Sequence, residues 1–190
     1  MNAFLIRAGD VVGRPVLTLH GDALAQVKDV VVDPESGRVR AFTLSGRGAL
    51  SGPLKEAIAW SAVHALGRDA VMVADRDALR EGADMASGAG GGADMLGARV
   101  LTQEGEDVGK VTDVVLDVTA DDARLAGYEV KLDRHGEKGT VLVPLSAPVV
   151  VSAERVLVPA AALRSAVGDL ADFRKAARGS REEGTSDAGQ

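Results

Sequence analysis

The sequence predicts an all-β protein in which two small tandem β-domains, joined by a Gly-rich linker, are followed by a C-terminal α-helix. Three observations predict it: a gapless internal repeat, short runs of β-forming residues punctuated by turn residues, and a change to helical period near the end. The repeat appears when residue 10 is laid on residue 94, which aligns DVVGRPVLTLHGDALAQVKDVVVD with DMLGARVLTQEGEDVGKVTDVVLD. Asp10/Asp94, Gly13/Gly97, Val16/Val100, Leu17/Leu101, Thr18/Thr102, Gly21/Gly105, Val27/Val111, Asp29/Asp113, Val30/Val114, Val31/Val115 and Asp33/Asp117 are identical pairs. Two more residues in the second copy then bring Val39 onto Leu125 and Phe42 onto Tyr128. The period is longer than the roughly 20–50 residues of solenoid repeats, so it reads as a duplicated domain. The expected layout is a first domain over 1–79, a flexible linker over 80–93, a second domain over 94–159, a helix over 160–178 and a disordered tail over 179–190.

Each copy opens with a short strand, PVLTL or RVLT, and a turn at Gly21 or Gly105. AQVKDVVVD follows as an extended strand, with Val27, Asp29, Val31 and Asp33 expected on one side and Lys28, Val30 and Val32 on the other. DPESGR is a turn: an Asp side chain bonds the backbone ahead of it, Pro fixes φ, and Gly permits positive φ. VRAFTL returns as hairpin partner, and GRGALSGPLK (46–55) is expected as the next hairpin loop, matched in the second copy by DRHGEKG. AIAW and AVMVA are further apolar runs, with TVLVPL and RVLVPA as their second-copy counterparts. About five short strands per copy indicate a small barrel or a sandwich. Closure into a barrel would leave no long strand edge exposed. Residues 80–94, REGADMASGAGGGAD, are dominated by Gly, Ala and Ser, as a linker requires. No Gly-Lys-Ser/Thr follows the glycines, so a phosphate loop is not indicated. In PAAALRSAVGDLADFRKAAR the period becomes helical: Leu163, Val167, Leu170 and Phe173 form an apolar stripe expected to pack within the chain or across a homodimer, although Gly168 interrupts it.

Composition narrows the function. With no cysteine, disulfides, thiolate metal sites and cysteine catalysis are excluded. No apolar run approaches the roughly 18–20 residues of a membrane span, and MNAFLIRAGD is too short in its apolar part for a secretory signal. The expectation is a soluble, cytoplasmic chain. Net charge is −6, with ten Lys/Arg against nine Asp/Glu in residues 1–80, so the acidic excess falls in the second part. That balance disfavours direct nucleic-acid binding, which draws on phosphate neutralisation.

GRPVLTLHGDALAQVKDVVVDPESGRVRAFTL, followed by AIAWSAVHALGRDAVMV, resembles a PRC-barrel domain. The features that carry the resemblance are Gly13 to Val16, the Gly21 turn, the strand Val27 to Asp33, the aromatic Phe42, Trp60 to Val63, and Asp69 to Val73. The second copy is similar at its start, with Pro144 in place of the Trp. The resemblance implies two tandem PRC-like β-barrels over roughly 10–77 and 94–159. It also implies a non-enzymatic role as an adaptor docking a protein partner, with no cofactor. The family includes a photosynthetic reaction-centre subunit that carries a membrane helix and a ribosome-maturation factor that carries a different barrel ahead of its PRC domain. This chain has neither feature in those places.

Candidate chemistry rests on few residues. His20, His64 and His135 do not share aligned positions, which argues against a common metal or acid–base role. Asp29, Asp33, Asp113 and Asp117 are kept in both copies and could bind a hard cation or a small ligand, or serve as an acid–base pair. The structural reading is that Asp33 and Asp117 satisfy turn amides while Asp29 and Asp113 accept from neighbouring backbone or an Arg. Arg47 and Lys55, in the segment 46–55, are the candidate partner-binding residues, because binding groups favour loops on rigid scaffolds. No catalytic and no metal-ligating residue is expected.

Overall fold

The computed structural model describes residues 3–33, 35–48, 51–82, 90–91, 95–134, 137–145, 151–152 and 155–175. The chain divides into two compact units. One comprises Met1–Ala93 with Val118–Arg124, the other Asp94–Asp117 with Leu125–Gln190. Both are built from β-sheet, with few helices.

The first unit contains β1 (Phe4–Arg7), α1 (Ala8–Val11), β2 (Pro15–Thr18), β3 (Ala23–Val32), β4 (Val39–Ser45), β5 (Pro53–Ala59), β6 (Val63–Leu66), β7 (Val71–Val73), β8 (Leu79–Glu81) and β9 (Gly90–Gly91). The strand order is β6-β7-β2-β3-β4-β5-β8, with β9 beside β3. Neighbours pair antiparallel except β2 and β7, which run parallel with Val16 opposite Val71 and Thr18 opposite Val73. The second unit repeats the plan with β10 (Arg99–Thr102), β11 (Asp107–Val118), β12 (Ala123–Arg134), β13 (Glu137–Pro144), β14 (Val151–Ser152) and β15 (Arg155–Val158), in the order β13-β12-β11-β10-β15-β14. Its parallel pair, β10 with β15, sets Val100 opposite Val156 and Thr102 opposite Val158.

The repetition extends to irregularities. A register shift falls between Val16 and Leu17, and another between the aligned Val100 and Leu101. Gly21 and Gly105 turn the chain at φ +92° and +87°, a region where a side chain on Cβ is strained. Among the described residues, Thr18 and Thr102 are the buried polar ones. Their hydroxyls accept from the amides of Asp22 (3.1 Å) and Glu106 (3.2 Å), which settles both hydroxyls inside the fold. The cores are mainly aliphatic, as the low aromatic content requires. Val16, Leu44, Ile58 and Val71 fill the first around Phe42; Val100, Leu116, Leu142 and Val156 fill the second around Tyr128.

Four expectations are corrected. The strict alternation along 27–33 does not hold, since Val30, Val31 and Val32 are all buried. Register shifts between Val27/Asp29 and Val31/Val32 reset the side-chain phase, and each bulge adds one unpaired residue. The loop expected over 46–55 is shorter: β5 begins at Pro53, paired with Ser45, so Lys55 stands on a strand. The linker expected over 80–93 has strand at both ends, because β8 pairs with β5 at Glu56–Ile58 and Gly90–Gly91 pair with Val32–Val31. The single helix over 160–178 is broken. α2 covers Ala160–Arg164, and α3 covers 170–175 among the described residues. Val167 lies between them and spends both backbone groups on Leu142: the Leu142 amide donates to the Val167 carbonyl (2.8 Å), and the Val167 amide donates to the Leu142 carbonyl (3.0 Å). A residue so engaged cannot continue the i→i−4 ladder. Asp169 restarts the helix as its N-cap, its carboxylate accepting from the Asp172 amide at 2.8 Å.

Candidate functional site

The duplicated carboxylates turn back on their own backbones. Asp29 Oδ1 accepts from the Val30 amide at 2.8 Å, and Asp113 Oδ1 from the Val114 amide at 2.7 Å. Asp33 Oδ1 accepts from the Ser36 amide (2.8 Å), the Ser36 hydroxyl (2.9 Å) and the Glu35 amide (3.1 Å). The Ser36 amide and hydroxyl hold the Asp33 carboxyl below its ordinary pKa, with Glu35 and the Arg40 charge adding to the effect. Asp117 has a different setting from Asp33, which follows the end of β3. Asp117 lies within β11, and the turn beyond is tied by Thr119, whose hydroxyl donates to the Asp122 carbonyl (3.0 Å) and accepts from its amide (3.1 Å). Among the described residues, no group of three or more His, Asp or Glu is placed to hold a metal ion.

Among the described residues, two concavities in the first unit, each of about 490 Å3, gather side chains of both charges. The one lined by Asp33, Arg38, Arg40, Trp60, Asp121 and Asp122 is internally paired. Arg38 and Arg124 meet Asp122 at 3.3 and 2.5 Å, and Arg40 lies 3.9 Å from Asp33. Trp60 stands on its wall, its ring edge-on to Phe42 at 5.9 Å between centroids and 72° between planes. There the cations and carboxylates already satisfy one another.

The other concavity is different. Thr18, His20, Asp22, Ala23, Leu24, Arg47, Asp75 and Arg76 line it. Three connections supply its charged groups. The tight turn after β2 carries His20 and Asp22, the β4–β5 loop carries Arg47, and the turn after β7 carries Asp75 and Arg76. The β4–β5 loop is braced by the Gly46 amide on the Gly52 carbonyl (3.1 Å) and the Ser51 hydroxyl on the Arg47 carbonyl (2.6 Å), which fixes the backbone from which Arg47 projects. Asp75 caps a 3-10 turn, accepting from the Asp77 amide at 2.8 Å. Asp22 stands 3.5 Å from the Thr18 hydroxyl. Both carboxylates thus have local partners, while the guanidinium groups of Arg47 and Arg76 make no ion pair among the described residues.

The structure separates the sequence-derived candidates. Arg47 joins this concavity; Lys55, exposed on β5, does not line it. His20 joins it, His64 lines a separate concavity with Ser61 and Asp77, and His135 lies outside the described residues. Arg76 and Asp75 carried no sequence motif, being far from Arg47 along the chain. The signal that marks this group is divergence between copies: His20 aligns with Glu104, and beyond the matching strand ends Val73 and Val158 stand Asp75–Arg76 in one copy and Ala160–Ala161 in the other. In the C-terminal stripe, Phe173 is fully buried while Leu163, Val167 and Leu170 are half-buried. A Cβ on Gly127 would lie 2.6 Å from Phe173 Cζ and 2.3 Å from the Val143 carbonyl oxygen, so the absence of a side chain at Gly127 makes the seat for the ring. Among the described residues, no helix is long and apolar enough to cross a membrane.

Compared with known proteins, the chain matches the family model for the PRC-barrel domain twice, over residues 5–80 and 90–163. No curated protein gives a match.

Proposed function

The chain belongs to the PRC-barrel family, and from that premise we propose that it is a non-enzymatic tandem adaptor that docks a protein partner. The family is generally non-catalytic. One observation carries the reading: two of the polar pairs that the copies share, Thr18/Thr102 and Asp29/Asp113, bond backbone amides within their own copies. What differs between the copies is the exposed charge on the connecting loops, so the fold serves as a scaffold and the loops give each copy its own surface.

The test is capture of the tagged chain from its native cell, followed by titration with the purified captured protein. Saturable binding to one protein, with no shift in Tm when calcium, magnesium or a chelator is added, is the expected result. A Tm rise of several degrees on adding either cation, with no protein bound saturably, would replace the adaptor by a cation-binding protein.

A further inference from the structure

Side chains that line the concavity of His20, Arg47 and Arg76 are not kept at the aligned positions of the second copy, although the surrounding strands repeat down to their bulges. Residues the fold requires should recur in both copies; Thr18 and the glycine turns do. His20, Asp75 and Arg76 do not, being replaced by Glu104, Ala160 and Ala161. The fold is therefore complete without them, and their convergence from separate connections calls for another reason.

We propose that this concavity is the docking site of the first unit and that its occupant is an acidic peptide segment of the partner. The proposal rests on the adaptor reading and specifies it. Arg47 and Arg76 present two planar guanidinium groups that make no ion pair among the described residues, and such groups take carboxylates in bidentate fashion. His20 adds a third nitrogen-bearing side chain. Asp22 and Asp75 share the same walls, so a bare anion meets repulsion as well as attraction there. A polypeptide suits both signs: its Glu or Asp side chains face the arginines, and its amide N–H groups face the carboxylates. Leu24 in the lining and Leu19, 53% exposed beside His20, offer apolar contact to the same segment. The chain's net charge of −6 repels acidic peptides at long range, so any that bind do so through a local arrangement.

The test is fluorescence anisotropy with a fluorescein-labelled decapeptide of Glu and Leu, its Gln-for-Glu counterpart, and inorganic phosphate as competitor. The Glu peptide binds saturably, and the Gln peptide does not. The double variant Arg47→Gln/Arg76→Gln weakens binding about tenfold or more with Tm unchanged, because both side chains are exposed and make no ion pair among the described residues. Lys55→Gln, which removes an equally exposed charge from outside the concavity, leaves binding as it was. Failure of the Glu peptide to bind, equal binding by the double variant, equal loss in Lys55→Gln, or phosphate binding as tight as the peptide each overturns the site. A captured partner protein that binds the double variant undiminished overturns the site but leaves the adaptor reading standing. A wild-type chain that binds the Glu peptide at this site and no protein keeps the site and removes the adaptor reading.

Discussion

At the scale of single residues, the aligned pair Phe42 and Tyr128 shows what one atom costs. Both rings are fully buried at the same place in their units. The phenol oxygen of Tyr128 is buried with no hydrogen-bond partner among the described residues, and burial pushes its pKa up to about 12. An unpaired buried hydroxyl costs about 1–3 kcal/mol, so Tyr128→Phe should keep or raise stability, with Phe42 as precedent. A fall in Tm would show that the hydroxyl does have a partner. Because Tyr128 is the only tyrosine, tyrosinate absorbance reports it directly; the folded protein should titrate near 12 and the unfolded chain near 10. A folded pKa raised in this way favours the folded state below pH about 10, and that contribution is lost as pH rises towards 12. Asp33 is the opposite case. Its depressed pKa means that its contribution is present above pH about 4 and is lost as pH falls through the folded value. Asp33→Asn should therefore lower the urea midpoint slightly at pH 7, and the gap to the wild type should narrow as pH falls below about 4. A gap that does not narrow with falling pH would mean that the charge is not what holds the turn.

At the scale of elements, local chemistry was legible and pairing was not. The turn role of Asp33 could be read because its partners, Glu35 and Ser36, lie within three residues. The bulges in β3 depend on which residues of β4 stand opposite, a fact set by the tertiary pairing and absent from the segment itself. The C-terminal segment failed as a single helix for the same reason. Leu163, Val167, Leu170 and Phe173 keep helical spacing, but the bond between Val167 and the distant Leu142 overrides it. Within that segment Phe173 is the anchor. Phe173→Ala should cost about 3 kcal/mol, in the lower range for a buried Phe, whereas Leu163→Ala, half-buried, should cost clearly less. Gly127→Ala should destabilise from the other side, since its Cβ would meet the Val143 carbonyl and the Phe173 ring. Urea denaturation of the single and double variants checks the pairing: the combined loss should fall short of the sum, because either change alone unseats the ring. Full additivity would mean that the two residues do not act on one contact.

At the scale of the molecule, the duplication was the strongest signal in the sequence, and it correctly gave an all-β tandem PRC-barrel chain. The candidate concavity was half legible: Arg47 stood out within an individual loop, while Arg76 was invisible because the parallel pairing of β2 and β7 is what carries it to the turn after β2. That parallel pair has a further consequence for how the chain is made. The opening strand of each copy, at Val16 or Val100, pairs with one of its last, at Val71 or Val156. On the ribosome, neither sheet can close while it is being read out: β2 must wait, one edge unpaired, until Val73 has cleared the exit tunnel. A nascent chain released before that point carries the β2–β3 and β3–β4 hairpins but not the clasp that joins beginning to end. Translation therefore completes the clasp of each copy as a single late event, and truncations within a copy, ahead of Val73 or Val158, should yield aggregation-prone fragments.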